Sequence, residues 1–184
     1  DTTNQPQPVE KTTFSQATVD KNRQSLPDDA ISKLVEKVSP SVVSIVTSST
    51  TDSVFGQGSE RSGAGSGVIL SSNGYILTNK HVVNNATKLT VITSDGETYD
   101  AEVIYKDPLN DLAFIKVNNP KNFRPIEIGD SKTVKTGQPV IAIGNSLGQY
   151  QNTVTRGIIS GVGRNIVAQG QNRRAESLTD MLQT

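Results

Sequence analysis

Cysteine and tryptophan are absent from the 184 residues, and histidine and methionine occur once each. Without cysteine there is no disulfide framework, thiolate zinc site, iron–sulfur cluster or cysteine nucleophile. A single histidine excludes a multi-histidine metal site. No charge of one sign is in excess, since 18 Lys and Arg balance 18 Asp and Glu. That removes the usual electrostatic reason for nucleic acid or an anionic membrane as the main partner. No apolar run approaches the roughly 18 residues of a membrane-spanning helix. Only 33% of residues are hydrophobic and mean hydropathy is −0.38, so part of the chain is expected to stay outside the core. The length suits one domain or two small lobes, burying about 70% of the unfolded surface. The first residue is Asp1, not Met, so the chain reads as a processed product or an excised piece of a longer one, either of which leaves room for a removed signal or membrane anchor.

Residues 1–27 are rich in Thr, Gln, Asn, Ser and Pro, a composition that cannot offset its own ordering entropy and reads as a flexible linker. Residues 28–184 read as the folded domain. Leu26-Pro27-Asp28-Asp29 places Pro and two acids where a helix start accommodates them. Ile31, Leu34, Val35 and Val38 then form one apolar stripe, which Pro40 ends. Beyond it the pattern becomes short β-branched runs: Val42–Thr47, Val68–Leu70, Tyr75–Thr78, Lys88–Thr93, Thr98–Tyr105, Leu112–Val117, Pro139–Ile143 and Val154–Val162. Asn73-Gly74 and Asp95-Gly96 mark hairpins. Ser48–Gly63 reads as a long loop, Asn165–Arg174 as another, and Leu178–Gln183 as a strand or a helical turn. Many short strands with one clear helix predict an all-β barrel or sandwich. No period of 20 to 50 residues repeats.

Few residues here can carry chemistry. His81, at the end of the Tyr75–Thr78 strand, is either a partly buried structural histidine or a general base, and a base needs a carboxylate to orient it. Asp111 leads into an apolar strand and is either that carboxylate or a turn residue. Asp107, beside Pro108, is the better turn former. Gly63-Ala64-Gly65-Ser66-Gly67 is rejected as a phosphate loop, because a strand and not a helix follows it. Asn85-Ala86-Thr87 fits a glycosylation sequon, which carries meaning only in a eukaryotic secretory pathway. Arg173-Arg174 reads as a solvated pair.

Ser66-Gly67-Val68-Ile69-Leu70 followed by Gly74-Tyr75-Ile76-Leu77-Thr78-Asn79-Lys80-His81-Val82-Val83 resembles the histidine motif of the HtrA/Deg family of trypsin-like serine proteases. Asn110-Asp111-Leu112-Ala113-Phe114-Ile115-Lys116-Val117 resembles its aspartate motif. Ile128-Gly129-Asp130-Ser131, the Gly137–Asn145 segment and the Thr153–Ser160 segment are similar to the next three family segments in order. The resemblance implies an all-β, trypsin-like double β-barrel with a short N-terminal helix. The first barrel (about 41–120) is expected complete and the second (about 121–184) incomplete. It also implies His81 as general base and Asp111 as its orienting partner, with no cofactor and no metal. Unfolded or damaged polypeptides are the implied substrates, trimers the implied assembly, and the bacterial periplasm or outer face of the cell membrane the implied location.

The family's nucleophile lies in a Gly-Asn-Ser-Gly-Gly string, and the 184 residues contain none. Ser146, in Gly144-Asn145-Ser146-Leu147-Gly148, falls in a different family segment and is rejected as a substitute. Losing the serine of such a triad costs on the order of 10⁶ in kcat, about 8 kcal/mol. The chain by itself is therefore expected to be inactive and prone to associate. The alternative reading is a catalytically dead relative acting as a peptide-binding or regulatory module, which would have no physical need for both the His and the Asp motif.

Overall fold

A computed structural model describes residues 28–51, 59–146, 150–169 and 175–184. The linker expected at 1–27 and the Arg173-Arg174 pair lie outside the described residues. Helix α1 (Asp28–Val38) has the expected length, and a 3₁₀ turn containing Pro40 ends it. Six strands then close an antiparallel barrel: β1 (Val42–Thr51), β2 (Ser59–Ile69), β3 (Tyr75–Thr78), β4 (Lys88–Ile92), β5 (Thr98–Lys106) and β6 (Ala113–Val117), in the spatial order β1-β2-β3-β6-β5-β4. A one-turn helix α2 (Lys80–Val83) follows β3.

The barrel interior follows directly from the alternation of apolar residues along its strands. Ala113, Ile115 and Val117 of β6 are buried with Phe114 and Lys116 between them only partly so, as a period of two requires. They meet Val43, Ile45, Ile69, Ile76, Leu89 and Val91 in one cluster, to which α2 adds Val83 and the segment after β6 adds Phe123. Phe123 sits edge-on to Tyr99, with ring centroids 5.4 Å apart. At the β2–β3 turn Gly74 has φ +102°, and a Cβ there would lie 2.2 Å from the Val117 carbonyl oxygen. Only glycine meets both conditions.

Four further strands form two separate hairpins. β7 (Pro139–Ser146) pairs with β8 (Tyr150–Ile158), and β9 (Gly161–Gln169) pairs with β10 (Ala175–Gln183). Among the described residues the architecture is all-β, with one closed six-stranded barrel, two separate hairpins in the region of the expected second lobe and a short N-terminal helix.

Three local expectations need correction. Of the loop expected over Ser48–Gly63, residues 48–51 and 59–63 are strand and 52–58 lie outside the described residues: β1 and β2 stay paired from Val42–Val68 out to Thr51–Ser59. Glycine and serine read as loop, yet here they form a strand whose small residues admit neighbours closely. A Cβ on Gly67 would lie 2.7 Å from Ile76 Cγ2 and 2.8 Å from Ile45 Cδ1. The single run Val154–Val162 is split, because the chain changes partners at Ile159-Ser160. The Ile159 N–H donates to the Gln138 carbonyl and the Ser160 N–H to that of Gln183. The loop expected from Asn165 is strand β9 as far as Gln169, and Leu178–Gln183 is strand, since each supplies the other's ladder.

Candidate active site

His81 and Asp111 are 30 positions apart, and the sheet brings them together. β3 and β6 are antiparallel neighbours with Thr78 opposite Ala113, so the residues just after β3 lie beside those just before β6. Thr78 anchors the end of β3, its hydroxyl donating to the Ser66 carbonyl at 2.7 Å. The chain then turns into α2. His81 is thus not at a strand end but within this helical turn. Val83 is buried at the barrel end, whereas the His81 side chain is 57% exposed. A buried residue two positions away fixes the turn and leaves the imidazole at the surface.

The Asp111 carboxylate faces the start of α2. Its Oδ1 accepts from the His81 backbone N–H at 2.8 Å, and its Oδ2 lies 2.6 Å from His81 Nδ1. The Asn79 amide nitrogen donates to the same Oδ2 at 3.1 Å. An ionised carboxylate only accepts, so the ring nitrogen facing it carries the hydrogen. Nε2 then keeps its lone pair and can receive a proton. The Asp111 side chain is 17% exposed, so the attraction is screened less than at an open surface.

Asp107 is a turn former. Its Oδ1 accepts from the backbone N–H groups of Leu109 at 2.8 Å and Asn110 at 2.7 Å. These two bonds, Asn110 foremost, hold its carboxyl below the usual carboxylate range. Lys80 Nζ donates to the Asp107 carbonyl at 3.1 Å, tying this turn to α2. Gly63–Gly67 lies within β2. Asn79 was the residue that sequence reasoning passed over. An asparagine just after a strand reads as an ordinary turn residue, and no local signal shows that it faces a residue 32 positions on.

Residues 65–184 match the family model of the trypsin-like peptidase domain. The chain belongs to that family, and its relatives are of the HtrA/Deg type. It is 38% identical to the periplasmic serine endoprotease DegP of Escherichia coli K12 over 195 residues, covering 84% of this chain and 40% of DegP. It is 37% identical to the serine protease PepD of Mycobacterium tuberculosis H37Rv, covering 87% of this chain and 34% of PepD. Among solved structures, the HtrA-type protease AlgW with a decapeptide superposes with a TM-score of 0.64 at 33% identity, over 73% of this chain and 46% of AlgW. The chain spans less than half the length of each of these three proteins.

Proposed function

We propose that residues 28–184 belong to the protease domain of a serine endopeptidase, with lobes at about 41–120 and 121–184, in which His81 is the general base and Asp111 orients it. The observation that carries this reading is the 2.6 Å approach of His81 Nδ1 to Asp111 Oδ2. With Nδ1 protonated, Nε2 takes the proton from a serine hydroxyl as the oxygen attacks a peptide carbonyl. The carboxylate stabilises the imidazolium, which then gives the proton to the leaving amine. The serine comes from polypeptide outside these 184 residues. Unfolded or damaged polypeptides are the proposed substrates, on the ground of the resemblance to the HtrA/Deg family. Trimers are proposed on the same ground, and a location outside the cytoplasm on that resemblance together with the periplasmic name of DegP.

The test needs a natural form that includes a Gly-Asn-Ser-Gly-Gly segment. In it, His81→Ala is expected to lower cleavage of an unfolded protein on the order of 10⁶-fold and Asp111→Asn about 10⁴-fold, as in other triads of this type. Fluorophosphonate labels the serine of the parent form and nothing in the 184-residue chain. Cleavage that survives His81→Ala within tenfold would exclude His81 as the base.

A further inference from the structure

We infer that Asn79 is a positioning residue for the His81–Asp111 couple, one that holds the Asp111 carboxylate in the orientation that selects the His81 tautomer. The inference rests on the reading of His81 as general base, and it concerns a residue that touches neither the substrate nor the reacting atoms.

Asn79 occupies the cap position of α2, with extended φ and ψ of −77° and 141°. Asparagine there ordinarily turns its side-chain oxygen to the free N–H groups of the first turn. Asn79 makes no such bond. Asp111 takes over that capping: its carbonyl accepts from Lys80 N at 3.3 Å and its Oδ1 from His81 N at 2.8 Å. The Asn79 amide nitrogen is thereby released to face Asp111, 3.1 Å from its carbonyl oxygen and 3.1 Å from Oδ2.

One NH₂ group bridging the main-chain and side-chain oxygens of the same residue closes a ring that fixes the Asp111 side-chain torsions. With Oδ1 held by a backbone N–H and Oδ2 by Asn79, the carboxylate cannot rotate, and Oδ2 stays towards Nδ1. Asn79 has a further property that suits this place. Its amide is neutral, so it orders the carboxylate without competing with the imidazolium for its charge, as a lysine or arginine would. Without that amide, Asp111 keeps the His81 N–H on Oδ1 and the His81 ring on Oδ2, and no group outside His81 itself holds Oδ2 towards Nδ1.

The single histidine makes the test unambiguous in the 184-residue chain itself. Two-bond ¹H–¹⁵N correlation at about pH 8, where an imidazole is neutral, reads its tautomer. The wild type is expected to show Nδ1–H alone. Asn79→Ala is expected to give a mixture with the Nε2–H form. Asn79→Leu, which keeps about the same size and loses the donor without adding a charge, is expected to do the same and guards against a packing defect in the Ala variant. Asp111→Asn serves as the reference, because it removes the acceptor on which the whole couple depends. If both Asn79 variants keep the wild-type pattern while Asp111→Asn changes it, Asn79 has no positioning role and the reading of the couple stands. If Asp111→Asn also leaves the pattern unchanged, the couple itself is absent, and the proposed base falls with it.

Discussion

Asp107 shows how one exposed carboxylate can serve a site without joining it. By accepting from Leu109 N and Asn110 N it closes the turn that delivers Asp111. Its carboxyl is held below the ordinary range by those bonds, so the ionised form favours the folded state. The contribution is fully present above the unfolded value of about 3.9 and is lost as pH falls through the lower folded value. Urea unfolding of the wild type and of Asp107→Ala should therefore differ at pH 6 and converge as the pH drops below that range. Curves that stay parallel down to about pH 2 would show that the turn bonds contribute nothing. Asp107 reads as a turn residue from the local signal of its proline neighbour, whereas Asp111 is open between turn residue and orienting acid until the resemblance of its motif to the HtrA/Deg family implies the second. The reach of Asn79 to Asp111 depends on the pairing of β3 with β6, and no local signal carries it.

At the scale of elements, the decisive contact is α2 against β2. A Cβ on Gly65 would lie 2.5 Å from Val82 Cγ2, 2.7 Å from Val82 Cγ1 and 3.2 Å from Val82 Cβ. Three contacts that include Cβ cannot be relieved by turning the valine alone, so α2 would have to move, and His81 with it. Gly65→Ala is expected to destabilise the chain by about 1–3 kcal/mol, as overpacking does, and to shift the His81 ring resonances. Gly157→Ala, in β8 with nothing within 4 Å of its Cβ position, should change stability by less than about 0.5 kcal/mol. Thermal unfolding of both variants decides the matter, and equal losses would mean that the fit of α2 on β2 is not what makes Gly65 necessary. The helical turn itself was not anticipated, because four residues are too few for a periodic pattern.

Across the whole molecule, burial is uneven. The barrel encloses side chains of 0–2% exposure such as Ile45, Ile76, Ile115 and Val117, whereas Ile158, Val162 and Ile166 around β8 and β9 are 44–55% exposed. Apolar side chains at that density on strands favour association. The 184-residue chain should sediment as a concentration-dependent mixture, and Ile158→Lys with Ile166→Lys should return it towards monomer. A wild type that stays monomeric at about 100 μM would show that these side chains do not drive contact. The amino-acid sequence by itself determined the helix and the alternation of the barrel strands, because each rests on periodicity or turn chemistry within a few residues, while the motifs that hold His81 and Asp111 were legible in it as a family resemblance. Tertiary structure alone decided that the glycine- and serine-rich 59–67 stretch is a strand, that the chain changes partners at Ile159-Ser160, and that Asn79 faces Asp111. All three depend on which segments become neighbours: the first and third follow from the pairing of β2 with β1 and of β3 with β6 within the barrel, the second from the two hairpins outside it.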